Sequence, residues 1–169
     1  MMGWYEKINE DAKAAYVLTL TEKIIDQTKK YEWYPLVREM TDMCWEWVEE
    51  KKYGADDLYE RFDDEDDGLI LIEGYPGVKE NPQAKSVLFS IIEAVCYVIW
   101  QAYQYEKTEY VPQLLESESD QSIDQFMERI REVDGYQEEW AERLKKHLLE
   151  NYPAGSDKKI KRSEILSRI

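Results

Sequence analysis

A run of twenty residues with a single charge is the feature that most constrains the fold of this chain. Within residues 86–105, Glu93 is the only Asp, Glu, Lys or Arg residue. Asn81 and Pro82 precede the run as a helix N-cap and a first helical proline, so we expect one long helix to about Lys107. Its apolar residues cover most of the circumference, which is typical of a helix surrounded by other helices.

A transmembrane helix would also need about 20 mostly apolar residues. This segment, however, contains Gln101, Gln104 and two serines, and charged residues flank it at Lys85 and Glu106. We therefore favour a buried central helix over a bilayer span.

Capping residues, glycines and prolines mark the ends of further helices on either side of this segment. The sequence predicts them at Trp4 to about Lys30, Pro35 to Gly54, Asp56 to Phe62, Ser122 to Gly135, and Tyr136 to Pro153. Ser122 with Gln125 is interpreted as a capping box. Residues 69–72 are too short for a helix prediction and could be strand-like.

These elements predict an all-α, single-domain helical bundle of about six helices around a central apolar helix at about 81–107. We expect residues 1–152 to form the bundle domain. Residues 153–169 hold five basic and two acidic side chains, and we expect a basic, partly ordered C-terminal tail there.

The rest of the chain is strongly acidic. With 37 Asp and Glu residues against 22 Lys and Arg residues, the formal net charge is −15. Residues 49–73 hold eleven acids and three bases, and residues 105–139 hold the same numbers. Such a surface repels phosphate groups and anionic lipid, so we expect no direct nucleic acid binding and no membrane binding. A protein partner with a basic surface is predicted instead.

Motifs for metal, cofactor or enzyme chemistry are weak. Asp63 to Gly68 matches the start of a calcium loop, but Gly74 stands where the bidentate Glu is needed. One histidine and two cysteines are too few for a structural zinc site. We therefore predict no metal, no cofactor and no enzymatic activity, and Cys44 and Cys96 are expected to be reduced cytosolic thiols.

Three residues have two open interpretations each. Glu93 either forms a structural ion pair or contacts a ligand, and His147 is either a structural interfacial residue or a catalytic base. Trp45 and Trp47 point about 200° apart on their helix, so both cannot face one core. Trp45 therefore either packs on a neighbouring helix or is an exposed partner contact.

Three segments carry a resemblance to a known family: Met43 to Trp47, the acidic turn Asp63 to Gly68, and Tyr97 to Trp100 at the end of the apolar helix. Together they resemble the small all-α immunity proteins of bacterial polymorphic toxin systems, most closely the sixth immunity family. The resemblance covers most of residues 4–150. It implies a cytoplasmic antidote, encoded beside a secreted toxin, that binds and neutralises the cognate toxin domain, and it implies no catalytic residues.

An acidic antidote would associate rapidly with a basic toxin domain, such as a nuclease with a basic substrate cleft. We predict that the segment 56–67 docks the toxin. The predicted partner-binding residues are Trp45, Asp56, Asp57, Tyr59, Glu60, Asp63, Asp64, Glu65, Asp66 and Asp67.

Two other functions stay open at this point. One is an acidic binding module or DNA mimic that regulates a nucleic-acid enzyme. The other is a small enzyme built on Glu93 or His147, which requires a deep polar pocket at one of these residues.

Overall fold

The apolar segment forms the central helix of an all-α bundle in a computed structural model, which describes residues 3–169. Met1 and Met2, which belong to the predicted bundle domain, lie outside the described residues. Seven α-helices lie within 3–169: α1 (Glu10–Ile25), α2 (Tyr34–Glu50), α3 (Ala55–Phe62), α4 (Pro82–Glu106), α5 (Ser122–Ile130), α6 (Glu138–Asn151) and α7 (Arg162–Leu166). The predicted all-α class is confirmed.

Helix α4 is 25 residues long, which corresponds to about 37 Å. It packs against α1, α2, α3 and α5. By length and composition alone it could cross a membrane, but 72% of its most apolar window is buried inside the fold. Asn81 begins the helix as predicted, because its side chain accepts hydrogen bonds from the Gln83 and Ala84 amides. Burial by neighbouring helices explains the long apolar run.

The N-terminal region is divided more finely than predicted. Trp4–Lys7 is a separate 3₁₀ turn, and α1 begins only at Glu10. The side chain of Asn9 accepts a hydrogen bond from the Ala12 amide at 2.8 Å and so acts as the N-cap. Residues Leu69–Gly74 form a 3₁₀ helix, so the strand-like interpretation of 69–72 is wrong.

Three predicted helix boundaries are also wrong. Helix α2 ends at Glu50 because Lys51 adopts a left-handed conformation with φ 52°, and Gly54 instead precedes α3 as its N-cap residue. Ser122 is the first residue of α5 and not its N-cap; its Oγ accepts a hydrogen bond from the Ser119 amide. That helix ends at Ile130, five residues before Gly135.

The basic C-terminal residues return to the bundle. Ile160 and Ile165 are buried, and α7 packs on α1. The Arg162 guanidinium lies 3.1 Å from Glu22 on α1 and 2.9 Å from Asp42 on α2, so it joins three helices. The division into a domain at 1–152 and a tail at 153–169 stays a prediction.

Lys107 provides a test of how α4 ends. Its φ is 56°, a left-handed conformation that costs a residue with a Cβ about 1–2 kcal/mol. Lys107→Gly should therefore raise the free energy of unfolding by about 0.5–1 kcal/mol, once the greater flexibility of unfolded glycine is included. Urea denaturation measures this change.

Lys51→Gly is the matched control because Lys51 is also left-handed but forms an ion pair with Asp11 at 2.9 Å. It should gain less stability than Lys107→Gly, and an equal or larger gain would contradict this account.

Candidate partner-binding surface

An open cleft of about 820 Å³ lies between α3 and the segment that follows α4. One wall consists of Asp56, Tyr59, Glu60 and Asp63. The opposite wall consists of Tyr103, at the end of α4, and of residues 110 and 112–114. We call this feature the acidic cleft. Four of the ten predicted site residues therefore line one cavity.

The charge of this surface is concentrated on α3 and the turn after it. Residues 55–67 hold eight carboxylates and one basic side chain, Arg61. Arg61 is paired with Glu39 and Asp67, so its charge does not neutralise the cleft wall. Glu60 and Asp63 are exposed and form no ion pair with any residue of the described range 3–169. The wall is therefore negative and available to a cationic partner.

Hydrogen bonds fix α3 to the end of α4. The Tyr103 hydroxyl donates to Asp56 at 2.6 Å, and the Ala55 amide donates to the Glu106 carboxylate at 2.6 Å. Burial, together with the bond to Asp56, raises the pKa of Tyr103, so this hydroxyl keeps its proton at neutral pH. Asp57 caps α3 by accepting from the Gly54 amide and lies outside the cleft lining.

The opposite wall adds exposed apolar surface. Tyr110 is 70% exposed and Leu114 is 46% exposed, although both are large apolar side chains. Exposed aromatic side chains are enriched at protein interfaces. Neither residue was among the predicted contacts, because the segment 107–121 has no helical periodicity. The large apolar side chains around Pro112 are the sequence signal from which these two contacts could have been predicted.

A buried lysine holds that wall in place. Lys13 on α1 is 5% exposed and donates to Asp120 at 2.8 Å. Asp120 also accepts from the Tyr97 hydroxyl on α4 at 2.8 Å. A buried cation is stabilised only when it is paired and hydrogen-bonded, so these contacts tie the segment before α5 to α1 and α4.

The acidic turn after α3 is built by its own backbone. The Asp64 carboxylate accepts from the amides of Asp66 at 2.8 Å and Asp67 at 3.2 Å, and these bonds hold the pKa of Asp64 below its ordinary value. The turn leaves Glu65 and Asp66 exposed. No group of three His, Cys, Asp or Glu side chains within residues 3–169 is arranged to hold a metal ion.

Trp45 does not lie at this surface. Its side chain is 0% exposed, and the Arg162 guanidinium lies 5.5 Å above its ring. Helix α2 is packed against α1, α3 and α4, so no face of Trp45 remains for a docked partner. We remove Trp45 from the predicted contact residues; it packs inside the bundle.

The two residues considered for catalysis have structural partners. Glu93 forms an ion pair with Arg129 on α5 at 3.0 Å. Of its two interpretations, this contact agrees with the structural ion pair. His147 packs at 5.9 Å from the Tyr152 ring, and its Nδ1 lies 3.1 Å from the Asn151 amide nitrogen. Burial lowers the pKa of His147, so the imidazole is neutral at pH 7.

Gly68 tests the structure of the acidic turn. A Cβ at this position would lie 2.5 Å from the Asp64 nitrogen and 2.6 Å from its oxygen, both backbone atoms. Gly68→Ala should therefore lower the free energy of unfolding by about 1–3 kcal/mol, as measured by urea denaturation.

Gly74→Ala is the matched control, since nothing lies within 4 Å of a Cβ built there. It should change stability by less than about 0.5 kcal/mol. Equal effects of the two substitutions would show that the turn is not packed as described.

Comparison with known protein families gives a match to one that covers most of the chain. The model of the family described as immunity protein Imm6 matches residues 12–133, more than two thirds of the chain. No curated protein and no solved structure was found to match. The matched range contains α2 to α5 and nearly all of α1, and therefore both walls of the acidic cleft. Immunity proteins are antidotes that bind a cognate toxin and are not enzymes. The chain belongs to the Imm6 immunity protein family.

Proposed function

We propose that this immunity protein neutralises its toxin by docking the acidic cleft onto a basic surface of the toxin domain. The observation that carries the proposal is the placement of Glu60 and Asp63 in one cavity with exposed apolar side chains. Charged groups accelerate encounter, and the apolar groups supply contact area once the complex has formed.

The charge also favours a protein partner over other partners. The formal net charge of −15 opposes direct binding to nucleic acid and to anionic membranes. Steered association between opposite charges reaches about 10⁸–10⁹ M⁻¹s⁻¹ at low salt, against about 10⁵–10⁶ M⁻¹s⁻¹ for neutral surfaces. An antidote gains from such speed because it must capture a toxin before the toxin acts.

A cytoplasmic location is part of the proposal. Cys44 and Cys96 are both buried and free. Burial raises the pKa of both thiols, so they remain protonated and unreactive at neutral pH. Unpaired thiols are the usual state in a reducing compartment.

A neutralised-charge variant tests the docking surface. The triple variant Glu60→Gln, Asp63→Asn, Asp66→Asn removes three exposed carboxylates that form no ion pair with any residue from 3 to 169. The proposed partner used in the assay is the C-terminal domain of a secreted protein encoded beside this gene. We expect the association rate at low salt to fall about tenfold or more, and the difference to shrink in 0.5 M salt.

The control is Glu32→Gln, Glu142→Gln, Glu150→Gln, which changes the net charge equally at exposed positions on other parts of the bundle. It should slow association by less than about threefold. Equal slowing by both triple variants would place the interface elsewhere. Binding of several unrelated DNA-binding proteins by the wild-type chain would favour the DNA-mimic alternative.

A further inference from the structure

A second cleft, of about 350 Å³, continues from the acidic cleft. The two share Ile70 and Leu114, which form the ridge between them. We call the second cleft the anchor pocket. Its other walls include Phe62 from α3 and Phe89 and Ile92 from α4. These walls give the pocket an apolar interior next to a charged surface.

Three carboxylates and one guanidinium also line this pocket. Glu93 is paired with Arg129, whose guanidinium lies 5.2 Å above the Phe89 ring. Glu73 is exposed at the pocket rim and forms no ion pair with a residue of the described part of the chain. The pocket therefore has an excess of negative charge after its one internal pair is counted.

Glu118 is the unusual member of this set. Its Oε1 is buried and has no hydrogen-bond partner among residues 3–169, a costly state for a carboxylate oxygen. Burial raises the pKa of Glu118, and the nearby Glu93 carboxylate adds to the increase, while the Ser122 hydroxyl opposes it. The free protein thus leaves an acceptor unsatisfied beside an apolar cavity.

We propose that the anchor pocket binds one Lys or Arg side chain of the toxin, with its alkyl stem along Ile92 and Leu114 and its cationic group at Glu118. The inference rests on the proposed function, because it adds one specific contact to the same docking surface. Long cationic side chains cover apolar surface with their stems while the charged group reaches a polar partner. The bond to Glu118 is charge-assisted and therefore among the stronger hydrogen bonds.

Other side chains fit the pocket less well. A purely apolar side chain would leave the buried Glu118 oxygen without a donor, which keeps a costly state in the complex. An acidic side chain would be repelled by the three carboxylates. A long cation covers the apolar walls with its stem, donates to the unpaired oxygen and offsets the negative charge of the pocket.

Glu118→Gln tests the anchor, and Glu116→Gln is the matched control on an exposed position of the same segment. With the toxin domain encoded beside this gene, Glu118→Gln should weaken binding about tenfold or more, mainly by faster dissociation. Glu116→Gln should change it less than about twofold. The free energy of unfolding of Glu118→Gln should not fall, since glutamine preserves the size and removes a buried charge.

The outcomes separate this inference from the proposed function. If neutralising Glu60, Asp63 and Asp66 slows association but Glu118→Gln binds as the wild type does, the anchor is wrong and the acidic cleft stands. If neither change affects binding, both proposals fail.

Small probes give a readout that does not depend on the toxin. N-acetyl-lysine methylamide should shift the NMR signals of Ile92 and Leu114, and the shifts should be lost in Glu118→Gln. N-acetyl-norleucine methylamide has a similar apolar stem without the ammonium group and should produce much smaller shifts. Equal shifts with the two probes, or none with either, would overturn the proposal.

Discussion

Burial of α4 determines how the other helices are arranged. Its long apolar surface requires helices on nearly every side, and α1, α2, α3 and α5 supply them. Packing on this scale leaves the acidic residues on the outside of the bundle. The end of α4 also places the candidate surface, since Tyr103 and Glu106 bond to Asp56 and the Ala55 amide at the start of α3. The core helix and the proposed docking surface therefore depend on the same contacts.

The second wall depends on a buried polar contact. Lys13 and Tyr97 both bond to Asp120, and this contact sets where the segment 107–121 crosses the bundle. Eight carboxylates between residues 55 and 67 repel one another and lower the stability of the free protein. A basic partner would relieve that repulsion. The clustered negative charge therefore destabilises the free protein and would favour its complex with a basic partner.

Sequence patterns predicted the parts of this fold that depend on local chemistry. The α4 helix and its Asn81 cap follow from an apolar run and a capping residue, and both are confirmed. The predicted end of α2 at Gly54 was wrong because Lys51 adopts the left-handed conformation that glycine usually adopts. The ion pair of Lys51 with Asp11 supports this conformation. The cluster of acidic residues in the sequence predicted the wall formed by α3. Tyr110 and Leu114 were not predicted, because tertiary contacts determine their positions and no periodic sequence pattern marks them.

The most direct test of the central claim, that toxin docks at the acidic cleft, is hydrogen exchange of the immunity protein with and without the neighbouring toxin domain. Amides in residues 55–67 and 107–118 should exchange more slowly in the complex, while those of α6 should not change. Protection confined to α6 and the C-terminal residues, with none in 55–67, would contradict the account.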